Sequence, residues 1–220
     1  VVPVQRPQGA FHPKLSLLLT ETGGRVHCGS NNLTRSGCSS NLELLNSLPF
    51  DFEGDFDEEM DVAREAFAFF EQAAKHADEE IVRIATEWIE ETAKTYPWLR
   101  EPIDDSERTM RLLHTYDGGI WERLVQHLDG VKPKEFFIAS PFNDADGAIG
   151  KRLATQWPNA QLEFLVQQGY TNLAVKPLKK LRKARLSEVR DSSRRIHAKL
   201  LARRSGKGGG CLAGSANFTR

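Results

Sequence analysis

The chain has 220 residues, a formal net charge of +0 at pH 7 and 40% hydrophobic residues. This size fits one sizeable α/β domain or two small ones, and the balanced charge excludes a globally basic nucleic-acid protein, though not a local basic patch. No run of about 18 apolar residues occurs, so we expect no membrane span. The three cysteines show no Cys-x-x-Cys spacing, and we expect a cytoplasmic protein without a metal or cofactor.

The first predicted element is a strand over residues 11–20, FHPKLSLLLT, followed by a glycine-containing turn and a return strand at 25–29. His12 and Lys14 stand two residues apart, so they would project from one face of that strand. The return strand leads into Gly-Ser-Asn-Asn-Leu-Thr at residues 29–34, whose polar residues are typical of a helix start.

The middle of the chain is predicted to be helical first and then alternating. Residues 55–95 carry apolar residues at helical spacing, which indicates one or two amphipathic helices, and a loop or boundary follows around Pro97 and Pro102. Strands are then predicted at Thr109–His114, Glu135–Ser140 and Gln161–Gln167, with helices at Gly119–Leu128, Lys151–Gln156 and Leu173–Lys183. This alternation favours a largely parallel, covered sheet.

One loop in this region has two interpretations. The segment at residues 140–144, Ser-Pro-Phe-Asn-Asp, follows a predicted strand end, which is where ligands often lie in α/β sheets. It either lines a substrate cleft or is a plain connection from strand to helix.

The last segment repeats the first. A strand over 195–203 and a return strand over 210–214 are predicted, and the shared residues recur at one constant interval, with no insertion between them. The first copy contains His12, Lys14, Ser30, Asn32, Thr34 and Arg35, and the second contains His197, Lys199, Ser215, Asn217, Thr219 and Arg220. A duplicated structural hairpin is the alternative, but it would have no reason to keep histidine, lysine, serine and asparagine.

These residues resemble the phospholipase D superfamily, whose motif is HxKxxxxD followed by GSxN, present twice. Leu19 and Arg204 stand where the two aspartates belong, a departure that resembles the tyrosyl-DNA phosphodiesterase branch and the metal-independent restriction nucleases. The segment Asn41-Leu42-Glu43 resembles the N-x-E that often follows GSxN in this superfamily. The motifs cover roughly residues 11–43 and 195–220.

The resemblance implies an α/β, phospholipase D-like fold. In it, two related α-β-α repeats with mixed, largely parallel sheets meet at a pseudo-twofold active site. Residues 1–50 would be the C-terminal part of the first repeat, 51–105 a helical, acidic connecting segment, and 106–220 the second repeat. Because the first repeat is incomplete, we expect the chain to be a fragment of a longer protein, with a helicase or other module in the same protein or complex.

The resemblance also implies a metal-independent phosphodiesterase that works through a covalent phosphohistidine. His12 would be the nucleophile, and His197 would protonate the leaving group and then activate water. Lys14 and Lys199 would neutralise the phosphate oxygens in place of a metal ion. The other implied site residues are Asn32 and Asn217 in catalysis, and Ser30, Ser215 and Glu43 in binding phosphate or substrate.

Three substrate hypotheses follow from the sequence. Nucleic acid, DNA in particular, is favoured by a basic run consisting of Lys179, Lys180, Arg182, Lys183, Arg185, Arg190, Arg194, Arg195, Arg203, Arg204 and Lys207. A phospholipase D-type lipid phosphodiesterase or transphosphatidylase would use the same chemistry, but membrane-facing apolar segments are not evident in the sequence. A non-catalytic module that binds phosphate or nucleic acid is the third hypothesis, which the two complete His-Lys pairs oppose.

Overall fold

The computed structural model describes residue 4 and residues 11–55, 57–105, 107–190, 193–206 and 208–219. Lys207 and Arg220, which belong to the predicted basic run and to the second motif, lie outside these ranges. The strands are β1 Leu15–Leu19, β2 Gly23–Gly29, β3 Asn41–Leu42, β4 Leu45–Asp51, β5 Glu135–Ala139, β6 Gln161–Val166, β7 Ala184–Glu188, β8 Arg195–Ile196, β9 Leu200–Ser205 and β10 Gly208–Ala213. The α-helices are α1 Arg35–Ser39, α2 Asp57–Ala74, α3 Glu79–Thr95, α4 Ile120–His127, α5 Ala148–Gln156 and α6 Val175–Leu178.

The chain forms two compact units, each built from two separate stretches of sequence. The first unit contains the residues up to His27 together with Ser47–Asp129, and the second contains Cys28–Asn46 together with the residues from Gly130 onward. Within the described ranges, every helix is too short or too polar to cross a bilayer. The assignment of residues 1–50, 51–105 and 106–220 to two repeats and a connecting segment stays a prediction.

The first unit is built around a small sheet and two helices. The sheet order is β1-β2-β4, and a core cluster joins Val26 and Phe50 from the strands to Val62, Ala63 and Ala66 from α2. These helical residues recur at a spacing that places them on one face of α2, which is the face that this cluster buries. The prediction of amphipathic helices over residues 55–95 is confirmed by α2 and α3.

The predicted strand at Thr109–His114 is wrong, because its backbone amides donate hydrogen bonds to acidic side chains of α2 instead of to a neighbouring strand. The Glu58 carboxylate accepts hydrogen bonds from the amides of Thr109 (3.0 Å) and Met110 (2.9 Å). The Glu65 carboxylate accepts one from the amide of Leu112 (2.6 Å). These donors satisfy their hydrogen bonds without a neighbouring strand.

The second unit contains a five-stranded mixed sheet in the order β10-β9-β5-β6-β7. Strands β5, β6 and β7 run parallel, whereas β9 is antiparallel to β5, and β10 is antiparallel to β9. Phe136, Ile138 and Leu162 on the two central strands are at most 1% exposed, and so is Leu153 of α5. Central strands this apolar are typical of a sheet that is covered rather than solvated.

Most elements predicted between residues 119 and 183 are confirmed, and one is wrong. The predicted helix at Gly119–Leu128, which belongs to the first unit, corresponds to α4, and the predicted helix at Lys151–Gln156 corresponds to α5. The predicted strands at Glu135–Ser140 and Gln161–Gln167 correspond to β5 and β6. The helix predicted at Leu173–Lys183 is reduced to the single turn of α6. The chain then pairs with the edge of β6, where the Leu162 amide donates to the Lys183 carbonyl (2.9 Å), and continues as β7.

Both His-x-Lys segments lie outside the strands in which they were predicted. His12 and Lys14 precede β1, and Pro13 between them has no amide proton to give to a strand ladder. The predicted strand at 195–203 is divided into β8 and β9, and residues 197–199 between them have no regular structure. The return strands are present as β2 and β10, and the Thr34 side chain caps α1 by accepting from the Gly37 amide (3.2 Å).

The packing of α5 gives a first testable prediction. Truncating Leu153, which is 0% exposed, leaves a cavity that a close-packed interior fills only in part. We expect Leu153→Ala to lower the free energy of unfolding by about 2–5 kcal/mol. Lys151→Ala, an exposed position on the same helix, should change it by less than about 0.5 kcal/mol. Equal losses in a urea titration would contradict the burial of this face of α5.

Candidate active site

The first His-Lys pair belongs to the first unit. The Lys14 Nζ atom lies 2.6 Å from His12 Nδ1 and 3.3 Å from the His12 carbonyl oxygen, so the two side chains share one side of the chain. The His12 side chain is exposed, and the preceding Phe11 ring stacks on Phe69 of α2 with centroids 6.2 Å apart. This stack anchors the backbone directly before the histidine.

The second pair belongs to the second unit and is far less accessible. The Lys199 Nζ atom lies 3.1 Å from His197 Nε2 and donates to the His197 carbonyl oxygen at 2.7 Å. Lys199 is 3% exposed and the His197 side chain 13% exposed. A lysine this deeply buried needs hydrogen-bond acceptors around its ammonium group, and His197 supplies two of them.

A short parallel strand pair holds His197 against a distant part of the sequence. In this pair, Asn41 and Leu42 of β3 lie opposite Arg195 and Ile196 of β8. The backbone amides of His197 and Ala198 both donate to the Leu42 carbonyl oxygen, each at 2.9 Å. The residue after Leu42 is therefore fixed beside the imidazole ring.

That residue is Glu43, and its carboxylate binds the ring. The His197 Nδ1 atom lies 2.8 Å from Oε1 and 3.0 Å from Oε2 of Glu43. The carboxylate also accepts hydrogen bonds from the Ser30 hydroxyl (2.6 Å) and the Asn41 side-chain amide (3.1 Å). Because Glu43 accepts at Nδ1, the proton sits on that nitrogen and the Nε2 atom of a neutral ring keeps its lone pair.

The surroundings of Glu43 keep it ionised. Burial alone would raise the pKa of this carboxyl group. Hydrogen bonds from Ser30, Asn41 and His197, together with the attraction of a charged His197, outweigh burial and hold the pKa below its usual range. The group therefore remains a carboxylate at neutral pH, which is the form that accepts from Nδ1–H and stabilises an imidazolium.

The Ser30 hydroxyl both donates and accepts hydrogen bonds within this network. The residue is 0% exposed, its hydroxyl donates to Glu43, and the Leu44 amide donates back to the hydroxyl at 2.9 Å. This geometry suits a side chain that positions Glu43, and the predicted contact of Ser30 with phosphate stays a prediction. Asn32 is half-buried, and its backbone carbonyl accepts from the Thr34 amide (2.8 Å).

The second Gly-Ser-x-Asn segment lies directly beside the second His-Lys segment. The Gly214 amide donates to the Lys199 carbonyl oxygen at 3.3 Å, and Ser215 follows it at the end of β10. Asn217 is half-buried, and its Oδ1 atom is buried without a hydrogen-bond partner among the described residues. A buried polar atom left unsatisfied is uncommon in a native fold, and a catalytic role or an ordered water or ion is among its explanations.

Sequence reasoning did not identify Gln167, which fixes the strand before His197. Its side-chain amide donates to the Arg194 carbonyl oxygen (2.7 Å), and its Oε1 atom accepts from the Ile196 amide (2.8 Å). The side chain is buried, and the residue directly follows β6. Its only signal in the sequence is a polar residue at the carboxyl end of a predicted parallel strand.

The basic run is less cationic than its sequence indicates. Arg185 contacts the carboxylates of Glu163 and Glu135, and Arg204 contacts Glu135 at 2.7 Å. Other members of the run are exposed: Lys179, Lys180, Arg182, Lys183, Arg190, Arg194 and Arg195. Among the described residues, no group of three or more histidine, cysteine, aspartate or glutamate side chains is arranged to hold a metal ion.

The fold of this chain is shared with part of a much larger enzyme. The crystal structure of polyphosphate kinase from Porphyromonas gingivalis matches with a TM-score of 0.51 at 11% sequence identity, over 90% of this chain and 27% of that chain. This chain has a mixed α/β fold, and it shares that fold with part of the kinase. At this identity the likeness shows the fold alone, and this chain spans about a quarter of the kinase. No protein-family model and no curated protein matches the chain.

His12 and Lys14 belong to the first unit, and the other predicted site residues belong to the second. The convergence of the two histidines on one phosphate therefore rests on the sequence repeat and stays a prediction. Within the second unit, the structure brings together His197, Lys199, Ser30 and Glu43, which are separated by up to 169 positions in the numbering of the chain.

The lowered pKa of Glu43 gives a prediction with a definite sign. A carboxyl whose pKa is lower in the folded state stabilises the fold above its unfolded pKa, and this stability is lost as the pH falls through the lowered value. At neutral pH we expect Glu43→Gln to lower the free energy of unfolding by about 1–3 kcal/mol. The deficit should shrink as the pH falls below the usual carboxyl range.

Glu188→Gln is the matched control, because Glu188 is an exposed carboxylate of the same unit. Urea titrations of wild type and both variants across the acidic range measure the effect. A deficit for Glu43→Gln that does not depend on pH, or an equal deficit for Glu188→Gln, would contradict the assignment of an ionised Glu43.

Proposed function

We propose that this chain belongs to a metal-independent phosphodiesterase that cleaves nucleic acid, with DNA as substrate, through a covalent phosphohistidine. The observation that carries the proposal is the orientation of His197, whose Nδ1 is bound by an ionised Glu43 while Nε2 faces a lysine ammonium. A carboxylate that fixes the tautomer of an imidazole and stabilises its protonated form is the arrangement that a general acid/base requires.

In the first step, Nε2 of His197 carries a proton and His12 attacks phosphorus through a ring nitrogen. The bond from phosphorus to the leaving oxygen breaks, and His197 delivers its proton to that oxygen. The phosphorus is then joined to His12 as a phosphoramidate. Glu43 holds the His197 ring and stabilises it while it is an imidazolium.

In the second step, the neutral His197 removes a proton from water. The hydroxide attacks phosphorus, the bond from phosphorus to His12 breaks, and His197 is protonated again for the next cycle. Lys14 and Lys199 would neutralise the non-bridging oxygens at both stages. The amides of Asn32 and Asn217 and the hydroxyl of Ser215 would supply further hydrogen bonds to the phosphate.

DNA is proposed as the substrate because the unit that contains His197 carries several exposed cationic side chains. Arg194 and Arg195 lie three and two residues before His197, and Lys179, Lys180 and Arg182 are exposed on the same unit. Several cations on one unit suit a backbone that carries a phosphate at every nucleotide. The ion pairs of Arg185 and Arg204 reduce this charge without removing it.

The test is a cleavage assay on single- and double-stranded DNA, RNA, inorganic polyphosphate and phosphatidylcholine, each with excess chelator. We expect chelator-resistant cleavage of DNA. His197→Ala should lose about 10²–10⁴-fold, the range expected for an acid/base group, and His12→Ala, which removes the proposed nucleophile, should lose at least as much. His127→Ala, at an exposed histidine, is the matched control and should retain the wild-type rate.

Each other outcome has a distinct meaning. Cleavage abolished by the chelator would contradict the metal-independent mechanism, and cleavage of the lipid alone would identify a lipid phosphodiesterase. Binding of DNA without cleavage by a folded wild-type protein would identify a binding module.

A further inference from the structure

We propose that Phe142, Tyr170 and Arg195 form a stacking site for an unpaired nucleobase, and hence that the substrate is bound as a single strand. This inference rests on the proposed function and deepens it, because it names the form of nucleic acid that the site would take. The three residues are called the aromatic–arginine cluster below, and all of them belong to the second unit.

All three residues of the cluster are exposed to solvent. Phe142 is 41% exposed, Tyr170 is 48% exposed, and Arg195 is exposed as well. The Arg195 Cζ atom lies 5.8 Å from the centroid of each ring, within the range of a cation–π contact. The cluster therefore presents aromatic surface and a positive charge to solvent at the same place.

The backbone under this cluster is fixed by hydrogen bonds. The Asn172 amide donates to the Pro141 carbonyl oxygen (2.8 Å), and the Asn143 side-chain amide donates to the Asn172 carbonyl oxygen (3.0 Å). The Ser140 hydroxyl donates to the Phe142 carbonyl oxygen at 2.7 Å. A ring on a constrained loop loses little conformational entropy when a base stacks on it.

The cluster is attached to the candidate active site from two sides. Arg195 stands two residues before His197 and pairs in β8 with Asn41 of β3, whose side chain binds Glu43. On the other side, Asn143 follows Phe142 and forms a β-bridge with Phe218, the neighbour of Asn217. A nucleotide stacked on these rings would therefore lie beside the phosphate-binding residues of the second motif.

Its chemistry favours a base over the other ligands of a phosphodiesterase. Every nucleobase has a π face that stacks on an aromatic ring or a guanidinium plane, whereas a base inside a duplex already stacks on its neighbours. A lipid surface would require a larger apolar area, and this cluster has a guanidinium between its rings. The loop at residues 140–144, which the sequence left with two interpretations, would thus line the substrate cleft.

The experiment compares two strands with the same phosphates. One is a short fluorescent oligothymidylate, and the other is an oligomer of equal length in which every base is replaced by an abasic tetrahydrofuran. Binding is measured by fluorescence anisotropy in the whole chain carrying His12→Ala, which prevents turnover. Phe142→Ala and Tyr170→Ala should each weaken binding of the oligothymidylate about tenfold and leave the abasic strand unchanged.

Two further variants separate stacking from a general loss of fold. Tyr170→Phe keeps the ring and should keep the affinity, whereas Trp88→Ala removes an aromatic side chain that is 60% exposed on α3 and should change nothing. Equal weakening of both strands by Tyr170→Ala would overturn the inference. So would unchanged binding in Phe142→Ala and Tyr170→Ala proteins whose thermal unfolding matches that of the parent.

The remaining outcomes distinguish this inference from the function on which it rests. If wild type cleaves DNA through both histidines but the alanine variants do not discriminate between the strands, only the stacking site is overturned. If base-dependent binding is present without any cleavage, the stacking site stands and the enzymatic proposal fails. Loss of binding to phosphatidylglycerol vesicles in the alanine variants, without any change in oligonucleotide affinity, would assign the cluster to a lipid surface.

Discussion

The site of this protein depends on one hydrogen-bonded contact, between the carboxylate of Glu43 and the imidazole of His197. The two residues are 154 positions apart. The contact forms because β3 pairs with β8 and because the Leu42 carbonyl oxygen accepts hydrogen bonds from the amides of His197 and Ala198. Ser30 and Asn41 occupy the remaining acceptor sites of the carboxylate. With the carboxylate ionised, the tautomer and the orientation of the ring are both determined.

This arrangement explains how residues that follow the first His-x-Lys segment in the sequence form the surroundings of the second His-x-Lys segment. The Gly-Ser-x-Asn segment, which begins at the last residue of β2, contains Ser30; Ser30 binds Glu43, and Glu43 binds the histidine of the other motif. Removing any member would leave a buried polar group without its partner, which costs more than the hydrogen bond contributes. Lys199 donates to the His197 carbonyl oxygen, which fixes its ammonium group beside the His197 ring.

The sequence predicted the elements whose hydrophobic pattern is strong and missed those decided by single hydrogen bonds. The amphipathic pattern of α2 and the apolar runs of β5 and β6 were sufficient, because burial determines these elements. The segment at Thr109–His114 has a strand-like composition, but the carboxylates of Glu58 and Glu65 accept hydrogen bonds from its backbone amides. No local sequence pattern reveals such acceptors. Pro13 and the carbonyl of Leu42 similarly keep both His-x-Lys segments out of regular strands.

For the candidate site, the repeat selected residues whose catalytic roles stay a prediction, and it did not indicate which of them meet. The N-x-E segment predicts that Glu43 binds phosphate or substrate, and that role stays a prediction. In the structure its carboxylate binds the His197 ring. Gln167 and the aromatic–arginine cluster have no motif. Gln167, Phe142 and Tyr170 follow the carboxyl ends of β5 and β6, whereas Arg195 lies in β8, so the fold alone brings them together. Such contacts between distant residues are properties of the folded chain rather than of any sequence window.

The covalent intermediate is the most direct test of this account. A thymidine phosphate ester of 4-nitrophenol has a leaving group that needs no protonation, so the His197→Asn variant should still form the phosphoramidate but hydrolyse it slowly. After an alkaline quench, which preserves phosphohistidine, peptide mass spectrometry should find the adduct on His12. An adduct on any other residue, or release of 4-nitrophenol at the wild-type steady rate with no adduct, would contradict a mechanism in which His12 is the nucleophile and His197 the acid/base.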